Sequence, residues 1–416
     1  MSYPRGIRLL LAETVRARRV TILTGPRQSG KTTLAEHFLE EFGRGTLRRL
    51  DNPALLEAAT ADPVGFVATG ERPLVIDEIQ LAGDPLVRAI KESVDRDATP
   101  GQFLLTGSMD FLTAPTISES LAGRAAFLEV WPLTQGELAG SPERFIDIVF
   151  SEPDKLRGRA ASRLTRQEYL ERLCCGGYPE AVGLSPRMRG RWFADYVRTI
   201  IDRDITEQFG LRKADELRKL LRLFAARTSR ELVMDGIVTD AAVAKQTVYD
   251  HRAWLETAHL LRPIPAWSRN LTARVKRRAK ILIPDPGLAA WLLGKSPQAL
   301  ERPTEPATGQ LVETFVATEL MRQMAWSELE VSLWHWHDRE GAEIDLVLEA
   351  ADGRVLGVEV KAGRSPTAEW FKWLAIMRDR TGPDFVHGIA FYTGNDVVPF
   401  GDRLTALPIA ALWSPH

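Results

Sequence analysis

Residues 25–32 read Gly-Pro-Arg-Gln-Ser-Gly-Lys-Thr, the GxxxxGK[ST] spacing of a loop that wraps phosphates. Its glycines let backbone N–H groups converge on an anion, and the helix that should follow adds positive charge at the same place. Lys31 would reach the β- and γ-phosphates of a nucleoside triphosphate, and Thr32 would ligate Mg²⁺. Gly25, Pro26, Arg27, Gln28, Ser29, Gly30 and Thr33 complete the expected nucleotide contacts. Leu74-Val75-Ile76-Asp77-Glu78 is an apolar run ending in two acids. Asp77 would hold Mg²⁺ through water beside Thr32, and Glu78 would polarise the attacking water. Phe103–Ser108 is a further strand ending in small polar residues, of which Thr106 or Ser108 would touch the γ-phosphate or its water. Arg124 reads either as an arginine finger acting across a subunit boundary, which requires self-association, or as a solvated arginine after a helix end.

A second constellation follows residue 305. Glu313 lies in a helical stretch, Asp345 in the strand 342–348, and Glu359-Val360-Lys361 closes the strand 355–361. An acid followed about a dozen residues later by Glu-x-Lys resembles the PD-(D/E)xK nuclease core. In that chemistry Asp345 and Glu359 bind Mg²⁺, which stabilises the pentacovalent phosphate and acidifies water. Lys361 would orient that water, and Glu313 would add a carboxylate. Glu359 and Lys361 are two apart and share a strand face. A two-residue turn at Asp352-Gly353 would put Asp345 opposite Val360, the wrong parity. Only an odd loop or a bulge between Ala350 and Val355 brings Asp345 opposite Glu359. The bland alternative is an edge hairpin bearing ordinary surface charges.

The elements that must carry these residues are legible in outline. Strand candidates 20–23, 46–50, 74–76, 103–106 and 126–130 alternate with helical segments, as in a parallel sheet covered on both faces. Helical, charged sequence fills 141–230. Residues 231–295 read as helix, a break near Gly236, a longer helix over 240–258, then strands, the outline of a winged helix. Pro297, Pro303 and Pro306 mark 296–309 as a linker. Residues 310–416 form the last α/β segment.

The chain has 416 residues, 44% hydrophobic, with 54 Lys+Arg against 55 Asp+Glu, so net charge gives no argument for nucleic acid. Basic residues are locally dense: Arg269, Arg274, Lys276, Arg277, Arg278 and Lys280 follow a helix carrying Lys245, Gln246, Tyr249 and Arg252. In a winged helix that helix would enter the major groove and the basic wing would grip phosphates. A solvated face, or a winged helix that docks protein, is the alternative. Trp334, His335, Trp336 and His337 alternate as in a strand, either as a histidine metal pair or as aromatic packing with polar histidines opposite. The adjacent Cys174 and Cys175 are poorly placed for a mutual disulfide and suit the cytoplasm. No run approaches the length of a membrane span.

On GPRQSGKTT, Leu50–Pro53 (LDNP), LVIDEIQ over 74–80, FLLTGS over 103–108 and SLAGR over 120–124, the first 140 residues resemble the AAA+-type P-loop ATPases of bacteria and archaea. With Gly176-Gly177-Tyr178-Pro179-Glu180 and the C-terminal part, nearly the whole chain resembles the fused ATPase family whose tail was long called a domain of unknown function. The resemblance implies ATP and Mg²⁺ use by a domain over 1–140. A helical lid over 141–230, a winged helix over 231–295 and a nuclease-like domain over 310–416 would follow. It implies DNA, branched or invading, as the substrate. Thr106 and Ser108 stand where many AAA+ proteins have a sensor asparagine, and no second sensor arginine is placed. Two other readings stay open: an ATP-dependent regulatory switch whose tail does not cut, and a protein-remodelling enzyme.

Overall fold

The computed structural model describes residues 3–107, 121–141, 144–158, 162–205, 214–270, 274, 277–338 and 341–414. They fall into two compact bodies, Arg5–Pro132 and Leu133–His416, the latter with Met1–Pro4. The first body closes at Pro132. Leu133 onward belongs to the second because its backbone N–H donates to the Gly177 carbonyl at 2.7 Å.

In the first body, strands β1 (Val20–Thr24), β2 (Thr46–Arg49), β3 (Leu74–Asp77), β4 (Phe103–Thr106) and β5 (Ala125–Glu129) form a parallel sheet in the order β2-β3-β4-β1-β5. The inner strands are buried along their whole length, which is why they read as unbroken apolar runs. Helices α1 (Arg8–Ala17), α2 (Lys31–Phe42), α3 (Pro53–Ala61), α4 (Pro63–Ala68) and α5 (Gly83–Arg96) belong to the same body. The LDNP segment has a local cause. Asn52 caps α3, its Oδ1 accepting from Ala54 N at 3.0 Å and Leu55 N at 3.4 Å, and Pro53 takes the first helical position, where no N–H is needed.

The second body opens with helices, among them Arg166–Cys175 and Pro186–Thr199. The helix Ala214–Ala225 then leads into β6 (Arg230–Glu231), the helices Met234–Ala241 and Lys245–Thr257, β7 (Arg262–Ile264) and β8 (Lys280–Leu282). These strands pair antiparallel in the order β6-β8-β7. The break expected near Gly236 lies instead after Ala241, where Ala242 takes φ 55°; Gly236 sits inside a helix. The stretch 296–309 is not a structureless linker. Ser296 caps a short helix, Pro297–Leu300, and Ala307 begins the helix Ala307–Met324. Leu300 is fully buried and Thr308 nearly so. Pro297 is a helix-start proline rather than a breaker.

Helix Ala307–Met324 is buried on nearly every side and packs on a six-stranded sheet. That sheet runs β13 (Val398–Pro399), β14 (Leu404–Pro408), β12 (Phe385–Tyr392), β11 (Val355–Lys361), β10 (Glu343–Ala350), β9 (Val331–His337). β12 is parallel to β11 and β14, and the other pairs are antiparallel. Among the described residues no helix is long and apolar enough to cross a membrane.

The Gly-Gly-Tyr-Pro-Glu segment is explained by packing. A Cβ on Gly177 would lie 2.2 Å from the Leu133 carbonyl oxygen, and one on Gly176 2.2 Å from Asp285 Oδ1. Asp285 is fully buried; it caps Leu288 N at 2.9 Å, accepts from Gly177 N at 2.8 Å and pairs with the buried Arg322 at 3.0 Å. Arg322 also donates to the Leu133 carbonyl at 2.8 Å.

Candidate nucleotide site and C-terminal acid cluster

The loop from Gly25 to Gly30 joins β1 to α2, so the N-terminus of α2 faces the place where phosphate would lie. Gly25 has φ 127°, and a Cβ there would sit 2.4 Å from the Val130 carbonyl oxygen. Gln28 and Gly30 also take positive φ, which turns the loop into a cradle. Pro26 and Ser29 are buried, Arg27 is half-buried, and Gln28 and Thr33 are exposed. Arg5, which nothing in the pattern singled out, fastens the loop from behind, donating to the Ser29 carbonyl at 2.8 Å and the Trp131 carbonyl at 2.6 Å.

Lys31 Nζ donates to the carbonyls of Gly25 at 3.0 Å and Pro26 at 2.7 Å. Burial lowers its pKa to about 8, against the raising effect of Glu78 and Asp77. Thr32 Oγ1 donates to the two Asp77 carboxylate oxygens at 2.9 and 3.0 Å. Thr32 would bind the ion directly and Asp77 through water, an arrangement suited to Mg²⁺, which keeps several of its waters. This hydroxyl–carboxylate pair therefore fits the Mg²⁺ of a nucleotide, which would draw charge from the phosphates.

β4 lies beside β3, and this sets Thr106 against Asp77. Thr106 Oγ1 donates to Asp77 Oδ1 and accepts from the Glu78 backbone N–H at 3.2 Å. Glu78 leaves the strand at φ 56°, and its carboxylate accepts from the Gln80 side chain. Gln80 was not foreseen, though it lies two residues beyond Glu78. Ser108 falls outside the described residues. Arg124 does not stand free as a finger. Its guanidinium is bound by both oxygens of Asp95 in its own domain and donates to the Ala122 carbonyl at 3.2 Å.

In the second body the register condition on the acids is met. Ala350 and Arg354 close a loop of odd length, Ala351–Gly353, through an Ala350 N–H to Arg354 carbonyl bond of 2.9 Å. Leu346 pairs with Val358, which sets Asp345 opposite Glu359. Asp345 Oδ2 accepts from Val360 N at 2.8 Å, and Lys361 Nζ donates to Glu359 Oε2 at 2.5 Å. Glu313 joins them through a residue read differently in the sequence. The Lys280 ammonium donates to Glu313 Oε1 at 2.8 Å and lies 3.0 Å from Glu343 Oε1 and 3.7 Å from Asp345 Oδ1.

Burial pushes the Glu313 carboxyl up to about 8; Asp345 adds to the rise and Lys280 opposes it. Glu359 is likewise raised to about 8 by burial and Asp345, against Lys361. Burial works against the charge of Lys280, yet Glu313, Asp345 and Glu343 together hold its pKa above the ordinary lysine value. Among the described residues no three His, Cys, Asp or Glu side chains converge to hold a metal ion. The expected metal set of Asp345 and Glu359 is thus already engaged by donors of this chain.

The basic wing is corrected in the same way. Lys280 is buried in the acid cluster. Arg274 forks onto Glu349 with two bonds of 2.7 Å and lies over the Trp334 ring. Arg277 donates to the His337 carbonyl at 2.5 Å, and Arg269 to the Thr381 carbonyl at 2.8 Å and Asp384 at 3.0 Å. Arg278 is exposed, and Lys276 lies outside the described residues. On the helix Lys245–Thr257, Lys245 pairs with Asp235 at 3.0 Å, Gln246 bonds Asp250 at 2.8 Å and Arg252 pairs with Glu256 at 2.5 Å; Tyr249 is exposed. His335 is buried beside the Arg278 carbonyl at 3.0 Å, and burial, with Lys280, lowers its pKa to about 4. His337 meets Glu231 at 2.9 Å. Cys174 and Cys175 are both thiols, and burial pushes Cys174 up to about 12.

Comparison with known proteins agrees with the first of these sites. Residues 17–139 match a family model described as an AAA domain, while 166–299 and 308–412 match two models described only as domains of unknown function. The chain is 29% identical to uncharacterized proteins of Mycobacterium tuberculosis and Mycobacterium bovis, over 94% of its own length and 80% of theirs. A solved structure, the Walker-type ATPase of Pyrococcus abyssi, is 16% identical with a TM-score of 0.40, covering 69% of this chain and 94% of that one. The family match over 17–139, together with the loop and acid geometry, supports a P-loop ATPase domain of the AAA type.

Proposed function

We propose that this chain binds ATP with Mg²⁺ in the cleft between Lys31 and the paired acids Asp77 and Glu78, hydrolyses it there, and uses the C-terminal body as a switched binding module rather than a cutting one. The observation that carries the reading is the hydrogen-bonded set Lys31, Thr32, Asp77 and Thr106 at the C-terminal ends of β1, β3 and β4. Phosphoryl transfer asks for little covalent help; it needs a held triphosphate, a neutralised charge and an oriented water. In this reading Lys31 exchanges the Gly25 and Pro26 carbonyls for phosphate oxygens, Thr32 and Asp77 take the metal, and Glu78 turns from Gln80 to the attacking water.

Nucleotide binding and turnover test this together. Lys31→Ala should abolish hydrolysis, and Glu78→Gln should slow it while sparing binding; normal turnover in both variants would reject the proposal. A second reading, metal-dependent cleavage of DNA, is favoured by the register that sets Asp345 opposite Glu359. Cleavage of labelled DNA by the wild type, lost in Asp345→Ala and Lys361→Ala, would establish it. DNA-stimulated ATP turnover would support DNA as the ligand, whereas stimulation by a protein partner alone would point to remodelling.

A further inference from the structure

The acid cluster of the C-terminal body holds a cation that belongs to the chain. Lys280 is the first residue of β8, the middle strand of its small sheet, with Glu231 and Ile264 as register partners on either side. Its backbone is therefore fixed, and its side chain is only 1% exposed. Around Nζ lie Glu313 Oε1 at 2.8 Å, Glu343 Oε1 at 3.0 Å, the Asp345 carbonyl at 3.4 Å and Asp345 Oδ1 at 3.7 Å. These are ammonium distances. A Mg²⁺ ion demands oxygens at about 2.1 Å in a near-octahedral shell. Two further acid oxygens are engaged as well, Asp345 Oδ2 by the Val360 N–H and Glu359 Oε2 by Lys361.

We infer that Lys280 is the resident counter-ion of this cluster, standing where the helix glutamate and the strand aspartate would otherwise share a divalent metal, so that the wild-type cluster takes up none. The argument rests on what a metal would have to displace. An ion entering between Glu313 and Asp345 would leave a buried ammonium without its partners, and a buried charge stripped of its partner is strongly disfavoured. The backbone of β8 is bonded on both edges, so Lys280 stays anchored beside the acids, and its 1% exposed side chain would have to leave its buried setting to make room for an ion. The nuclease-like arrangement of Asp345, Glu359 and Lys361 is then an acid set neutralised from within. The inference is independent of the ATP site.

Manganese binding to the full, nucleotide-free chain tests it. In the wild type, Mn²⁺ uptake measured by electron paramagnetic resonance should be unchanged by Asp345→Asn. Lys280→Met should take up one additional Mn²⁺ per chain, lost again in the Lys280→Met/Asp345→Asn double variant, and its unfolding temperature should rise with added Mn²⁺. Wild-type Mn²⁺ binding that disappears in Asp345→Asn would overturn the inference, as would a folded Lys280→Met variant with no added site. Should Lys280→Met not fold, the comparison of wild type with Asp345→Asn decides the matter alone.

Discussion

Nucleotide affinity should fall by about tenfold between pH 7 and pH 9, and the cause should be a single proton on Lys31. In the free protein burial brings this lysine to about 8, well below its ordinary value. At pH 9 a group with that pKa is charged in only about one molecule in ten, whereas at pH 7 it is almost wholly charged. Bound triphosphate reverses the balance. A phosphate oxygen about 3–4 Å from the ammonium contributes roughly 4 kcal/mol at an effective dielectric constant near 20, equivalent to about three pKa units. The bound lysine therefore keeps its proton across this range. The sign follows: the complex binds more protons than the free protein, so binding takes up protons above pH 8 and weakens as pH rises. The factor between pH 7 and pH 9 is about 10, or about 1.4 kcal/mol.

Calorimetric titration with a non-hydrolysable ATP analogue, at pH 7, 8 and 9 in two buffers of different ionisation enthalpy, measures both quantities. Uptake should approach one proton per site at pH 9 and be slight at pH 7. Lys31→Arg supplies the control, because a guanidinium keeps its charge throughout. Whatever affinity that variant retains should be flat with pH. A wild-type affinity that changes less than about twofold, with no buffer-dependent heat at pH 9, would refute the buried-lysine argument.

Two further perturbations separate chemistry from architecture. Thr106→Val removes the hydroxyl that donates to Asp77 and accepts from the Glu78 backbone; with hydrogen bonds to charged groups worth about 1.5–3 kcal/mol, turnover should fall roughly 10- to 100-fold while binding changes little, and Thr106→Ser should restore it. Wild-type turnover in Thr106→Val would remove this residue from the site. Gly177→Ala drives a methyl group into the Leu133 carbonyl and the Arg322 guanidinium, so chemical unfolding should show a loss of about 1–3 kcal/mol; unaltered stability would mean that the segment yields more easily than its close packing implies.

The parallel sheet was legible because its inner strands are buried on both faces and therefore leave long apolar runs. The phosphate loop was legible because its glycines answer demands of the local backbone: Gly25 takes φ 127° and Gly30 φ 93° where α2 starts. Even the odd loop at Ala351–Gly353 followed from parity, since a strand has only two faces. What escaped was set by distant partners. Arg5 fastens the loop through Trp131, far along the chain, and Arg124 meets Asp95 on helix α5. Neither pairing leaves a mark at fixed spacing. Prolines misled for a related reason: Pro297 suits the first turn of a helix as well as a linker, and only the Ser296 cap and the burial of Leu300 distinguish them.

Lys280 shows why a charge run cannot be assigned to a surface by composition alone. It closes a basic stretch that includes Arg277 and Arg278, and in one dimension it looks like their equal. Parity gives no help, because the strand begins at Lys280 itself. A lysine buried in a sheet is tolerable only where acids meet it, and those acids stand at 313, 343 and 345, on a helix and a strand reached much later in the chain. Three carboxylates with charge to spare can be balanced by a metal or by an ammonium, and the residue types are the same in either case. The choice depends on whether a cation can be brought to them through the fold. Here β8 brings one, and the same residues that suggested a metal centre become the reason a lysine can be buried there.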